Sequence, residues 1–200
     1  MLEWQPSTIE IITWEGGILE EIIESYIDVI DYEYGEYIIY LRKSRADVEA
    51  EEKGEGETLA RHLKILLELA RKKKIKIGKI YQEIVSGESI IDRPEVQKVL
   101  EEVRLGLWKG VLVVEVERLA RGNTKDQGIV AEAFTISSTK IITPMKVYDP
   151  DNEFDEEYFE FGLFMSRREY RVTNRRLNIG RLSSVKEGKY VGSVAPFRMG

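Results

Sequence analysis

Between Tyr37 and Pro144, short apolar runs alternate with stretches of helical spacing, and that alternation leaves few folds open. Strand-like runs at Tyr37–Leu41, Ile75–Ile84, Gly110–Val116 and Lys140–Pro144 are separated by helical patterns at Thr58–Lys74, Glu95–Leu105 and Thr124–Ile136. In the first of these helices Leu59, Leu63, Leu66, Leu67 and Ala70 share one side, and basic residues crowd the last turn, where they favour the helix dipole. Pro94 stands near the first turn of the next, a position that needs no backbone N–H. Strands and helices alternating at this length predict right-handed crossovers, hence an α/β fold with a mostly parallel central sheet and helices on both faces. Arg45–Glu57 and Val85–Arg93 read as loops between them.

The flanks differ from this middle. Residues 1–35 form an acidic N-terminal extension in which Ile18–Ile30 has the spacing of an amphipathic helix. It packs on the core, makes an acidic contact or stays disordered, and the spacing does not choose. After the domain at 36–150 comes a segment, 151–188, with no proline between Asp155 and Lys186 and with Tyr158, Met165, Val172 and Ile179 repeating every seven residues. It predicts one long helix of about 30 residues, roughly 45 Å, and a helix of that length usually finds a partner helix. Its first turns are acidic and its second half is rich in arginine.

A net charge of -6 hides an asymmetry. Residues 1–35 hold nine acidic side chains and no basic one, residues 36–200 hold 30 basic against 27 acidic, and residues 166–200 hold nine basic against two acidic. The basic end suits a polyanion, for which duplex DNA is the natural candidate. No run is long and apolar enough for a membrane span or a signal peptide, so the cytoplasm is the default location. With no cysteine, thiolate metal sites and disulfides are excluded.

The chemistry concentrates where apolar runs end in charge. Tyr40-Leu41-Arg42-Lys43-Ser44 sets a hydroxyl two residues after a guanidinium at a strand end, where open α/β sheets place their sites. Glu117-Arg118-Leu119-Ala120-Arg121 closes another strand in the same way. Guanidinium binds phosphate oxygens in a bidentate fashion and stays charged, so two arginine-bearing strand tips facing a serine suit a phosphodiester. Taken singly, each group has a plainer reading. Arg93 could be a surface residue before Pro94, Glu117 and Arg121 an i,i+4 pair, and Arg42 a partner of Glu117 at the sheet edge. The single histidine, His62, sits in a helical pattern and reads as a structural or surface residue.

These motifs, in this order, resemble the serine site-specific recombinases, the resolvase/invertase catalytic domain, and most of all the large subgroup of phage integrases and conjugative-transposon recombinases. The likeness spans Glu36 to Phe197, and it implies that residues 189–200 begin a linker towards a further DNA-binding region. It rests on Tyr40–Ser44, on Glu83-Ile84-Val85-Ser86-Gly87 with Asp92-Arg93-Pro94 after it, on Glu117–Gly122, and on Glu169, Arg176 and Gly180-Arg181 in the long helix. The resemblance implies that Ser44 attacks DNA to give a 5′-phosphoserine and a free 3′-hydroxyl, with Arg42, Arg93, Arg118 and Arg121 holding the scissile phosphate. It gives Glu117 a role in orienting the arginines or moving a proton, and Glu83 and Ser86 supporting roles. Arg175, Arg176 and Arg181 would meet DNA, with Glu169 near a dimer interface. It implies double-stranded DNA as partner, a homodimer that becomes a tetramer on synapsis, and no cofactor, because the phosphoserine bond conserves the energy for rejoining.

Two other functions fit the residues. A metal-dependent nuclease would use Glu83, Glu115 and Glu117 to hold magnesium. A non-catalytic module would dimerise through the 155–186 helix and bind DNA without cutting it.

Overall fold

The computed structural model describes residues 18–43, 59–85, 89–119 and 124–189. Helix α1 (Ile18–Ser25) precedes strand β1 (Tyr37–Lys43), and after it come α2 (Leu59–Lys73), β2 (Ile77–Ile84), a 3-10 turn at Ile90–Asp92 and α3 (Pro94–Arg104). The chain continues through β3 (Gly110–Leu112), a second 3-10 turn at Val116–Arg118, α4 (Thr124–Ser137), β4 (Lys140–Ile142), β5 (Val147–Tyr148) and α5 (Glu153–Lys186). The sheet order is β2-β1-β3-β4-β5. The first four strands run parallel, and β5 returns antiparallel to β4. This is the α/β architecture expected from the alternation.

Because side chains alternate along a strand, β1 feeds two cores. Ile38 and Tyr40 join Val111, Ile141 and the inner faces of α3 and α4, while Ile39 and Leu41 join Leu112, Ile142 and the leucines of α2. The Glu102 carboxylate ties α3 to the sheet, accepting from Lys79 Nζ (2.7 Å), the Tyr81 hydroxyl (2.6 Å) and Trp108 Nε1 (2.8 Å). Burial alone would raise the pKa of Glu102, but these three donors together hold it below the usual carboxylate range.

The structure corrects two expectations and adds a strand. The apolar run to Val116 predicts a longer third strand, but β3 leaves the sheet ladder after Leu112. Val113 N–H still bonds the Ile142 carbonyl at 3.0 Å, and the chain then coils into the 3-10 turn, whose Val116 is buried near the start of α5. Strand β5 carries no sequence signal, since two residues cannot display an alternation. In the extension the helix stops at Ser25, and the chain then makes turns that reach a parallel bridge from Ile30 to Ile77.

The described part of the extension packs on the core. Leu19, Tyr26, Val29 and Ile30 are buried with the α2 leucines. Ile77 bonds both Val29 O and Asp31 N at 2.8 Å, so the segment covers the outer edge of β2 at its start. Arg71 on α2 bonds Asp28 and the Ser25 carbonyl and lies over the Tyr26 ring. Just beyond, two glycines let the backbones touch. A Cβ on Gly35 would lie 2.3 Å from Gly78 N, and one on Gly78 would lie 2.4 Å from Gly35 O. The obstacle is main chain on both sides and cannot rotate away. Gly78→Ala is therefore expected to cost about 1–3 kcal/mol, read as a lower urea midpoint at unchanged m-value.

Helix α5 spans 34 residues, roughly 51 Å at 1.5 Å per residue. Asn152 caps it, its side chain accepting from Phe154 N and Asp155 N. Phe159 and Leu163 anchor the first turns in the core, while Val172, Leu177, Ile179, Leu182 and Val185 are exposed.

Candidate active site

Strands β1 and β2 end together, Lys43 opposite Ile84, and the segments leaving them and the shorter β3 supply the site. Arg42 is the penultimate residue of β1 and lies directly across the ladder from Glu83, near the end of β2. Arg93 sits between the 3-10 turn and α3, and Arg118 closes the turn after β3. Residues scattered over 77 positions of sequence thus meet at the C-terminal edge of the sheet, as expected for an open α/β fold.

Glu83 is the hub. Its Oε2 accepts from the Tyr40 hydroxyl (2.6 Å) and Arg93 Nε (3.2 Å), and its Oε1 accepts from Glu95 N (3.0 Å) in the first turn of α3. A carboxylate there also meets the positive end of the helix dipole, where Arg93 supplies no side-chain cap of its own. Arg93 Nη2 donates to the Tyr40 hydroxyl, and burial, the largest influence, pushes the Tyr40 phenol well above its ordinary pKa. Tyr40 therefore stays protonated, donating a hydrogen bond to Glu83 while accepting one from Arg93.

The loop carrying Arg93 is fixed from both sides. Asp126, buried in the first turn of α4, accepts from Ile90 N (3.0 Å), and Gln97 Nε2 donates to the carbonyls of Ile90 (2.7 Å) and Ile91 (2.9 Å). Arg118 is held more loosely. Its Nη1 reaches the Arg42 carbonyl at 3.4 Å, its Nη2 lies 3.7 Å from Glu115, and its Nε makes no hydrogen bond among the described residues. Arg42 is buried and Glu117 half-buried at this edge.

Of the residues singled out from sequence, Arg42, Glu83, Arg93, Glu117 and Arg118 fall at this one edge. Ser44, Ser86, Arg121 and the side chain of Glu169 lie outside the described residues. Arg175, Arg176 and Arg181 are exposed on the far half of α5. His62 is buried on α2, on the opposite face of the sheet from Tyr40. Sequence reasoning misses Tyr40 and Asp126. Tyr40 was legible as the residue two before Arg42 on the same strand face, whereas nothing local marks Asp126. The three glutamates of the nuclease alternative do not gather, since Glu83 faces donors with both oxygens and Glu115 is exposed beside Arg118. Among the described residues no group of three or more acidic or histidine side chains is placed to hold a metal ion.

Compared with known proteins, residues 37–190 match the family model "Resolvase, N terminal domain". The chain belongs to the resolvase N-terminal domain family. The fold of this resolvase domain is similar to the N-terminal catalytic domain of TP901-1 integrase, at 16% identity and a TM-score of 0.50 over 68% of this chain and 97% of that one. It is also similar to the C-terminal catalytic domain of ISC1926 TnpA, an IS607-like serine recombinase (23% identity, TM-score 0.43, 54% of this chain and 65% of that one). A third likeness is to the corresponding domain of IS1535 TnpA, also IS607-like (21%, TM-score 0.40, 53% and 68%). Membership makes this a serine recombinase domain of DNA recombination. The resolvase match begins at Tyr37, so the packed extension at 18–35 is additional to it. No helix among the described residues is long and apolar enough to cross a membrane.

Proposed function

We propose that this resolvase domain cuts and rejoins DNA through a 5′-phosphoserine at Ser44, within the large serine subgroup, for integration, excision or transposition of a mobile element. The observation that carries the reading is the meeting of Arg42, Arg93 and Arg118 at the C-terminal edge of β1, β2 and the chain after β3, where Arg93 pairs with Glu83 and holds the Arg118 carbonyl and Arg118 reaches the Arg42 carbonyl. Ser44 stands two residues after Arg42, the period of a strand.

In the proposed step the Ser44 oxygen attacks phosphorus and the P–O3′ bond breaks. The serine loses its proton, the departing 3′-oxygen gains one, and the phosphodiester is exchanged without hydrolysis. Negative charge grows on the phosphoryl oxygens in the transition state, and preorganised guanidinium groups stabilise it. Arg42, Arg118 and Arg121 are assigned to that charge, with Glu117 orienting the last two. Arg175, Arg176 and Arg181 are assigned to the DNA backbone, and α5, with its exposed apolar residues, to pairing in a homodimer and then a synaptic tetramer.

The test is a trapped adduct. On a site with a bridging phosphorothiolate at the scissile position, the released thiol cannot efficiently reverse the step. Peptide mass analysis is expected to find DNA on the peptide holding Ser44. DNA on any other residue, or no adduct on any site that a serine recombinase would cut, would overturn the reading.

A further inference from the structure

Arg93 has no exposed surface, and its guanidinium is turned into the protein. Nε donates to Glu83 (3.2 Å), Nη1 to the Leu119 carbonyl (2.9 Å), and Nη2 to both the Tyr40 hydroxyl (2.6 Å) and the Arg118 carbonyl (2.6 Å). Four of the roughly five N–H groups of an arginine are engaged, with partners on β1, β2 and the turn after β3. The positive charge is matched by the Glu83 carboxylate, itself almost fully buried. A phosphate oxygen would have to open this packing and displace several charge-assisted bonds before reaching the guanidinium. The resemblance places Arg93 on the scissile phosphate; its geometry points elsewhere.

We propose that Arg93 is a positioning residue: it grips the consecutive carbonyls of Arg118 and Leu119, and by fixing that main chain it aims the Arg118 side chain. This rests on the recombinase reading and assigns the phosphate to Arg118 and not to Arg93. Two successive carbonyls held by one planar fork define the orientation of both peptide groups. Arg118 needs this, because its own side-chain contacts are long. Tyr40 completes the device by locking the fork against Glu83, and Asp126 and Gln97 steady the loop that delivers it.

The experiment uses two arms on the full chain. In the first, adduct formation is measured on ordinary DNA and on DNA carrying a neutral methylphosphonate at the scissile position. A side chain that neutralises phosphate charge becomes dispensable when that charge is removed, so Arg118→Ala should recover at least about tenfold on the neutral site. Arg93→Lys and Tyr40→Phe should lose adduct about 10–100-fold on ordinary DNA and recover nothing on the neutral site. In the second arm, without DNA, the amides of Arg118 and Leu119, bonded to the Glu115 and Val116 carbonyls, should exchange hydrogen faster in both variants while α3 and α4 keep their protection. Tyr40→Phe leaves the Arg93–Glu83 pair in place, so it serves if Arg93→Lys does not fold. Recovery of Arg93→Lys on the neutral site, or unchanged exchange at 118–119 in Tyr40→Phe, would overturn the proposal. So would failure of Arg118→Ala to recover. If the unaltered protein forms no adduct at all, the recombinase reading falls, and the exchange arm still rules on Arg93.

Discussion

Ser44→Ala is expected to abolish the covalent protein–DNA adduct while leaving the fold and the affinity for DNA as they were. Covalent catalysis leaves no substitute for the attacking oxygen, and loss of a nucleophile elsewhere costs on the order of 10⁶-fold, below any practical detection limit. A neutral methyl side chain in place of a hydroxyl methylene does not alter the phosphate contacts assigned to exposed Arg175, Arg176 and Arg181, so salt-sensitive binding should persist. The two parts of the result separate the hypotheses. A protein that binds equally well with and without the hydroxyl, and forms an adduct only with it, is an enzyme using Ser44. One in which neither form makes an adduct at a site the family would cut is the non-catalytic DNA-binding module. An adduct surviving in the alanine variant would mean another residue attacks.

The sheet and its two cores were legible because β1 carries their signal twice. Ile38 and Tyr40 alternate with Ile39 and Leu41, so both faces had to be covered, and the helical patterns on either side supplied the cover. The register that sets Arg42 across from Glu83 was not legible. It depends on the bulge between Tyr37 and Ile38 and on the glycine contact at Gly35 and Gly78, which shift how β2 meets β1. The extension's role was also hidden. The spacing left packing on the core, an acidic contact and disorder open, because the attachment runs through backbone bonds to Ile77 and through one arginine, Arg71, on a helix far along the chain.

The site was legible as a set of residue types and illegible as a division of labour. Sequence treats Arg42, Arg93 and Arg118 alike, since the resemblance puts each guanidinium on the scissile phosphate. What sets Arg93 apart from Arg118 is that its N–H groups meet protein at short range. For Arg93 they meet a carboxylate, a phenol and two carbonyls at contact distance, all supplied by segments 25 to 53 residues away or by Glu83, ten residues back. No spacing rule carries that information.

The contrast makes the second large prediction a comparison of two arginines. Arg118→Ala should lower the rate of adduct formation by about 10²–10³-fold, the typical loss when one preorganised donor to a transition-state oxyanion is removed. Its effect on stability should stay within about 1 kcal/mol, because its bond to the Arg42 carbonyl is long and its partner Glu115 is mostly exposed. Arg93→Ala should show the reverse order of severity in unfolding. It strands the buried Glu83 carboxylate, the Tyr40 hydroxyl and two carbonyls, and breaking such a pair from one side costs about 3–5 kcal/mol. Urea unfolding of both variants, set beside their adduct rates on one DNA site, reads the two effects separately. If Arg118→Ala were the one to lose stability and Arg93→Ala the one to fold normally but fail to cut, the roles would be exchanged, and the charge facing the phosphate would belong to the residue that the geometry buries.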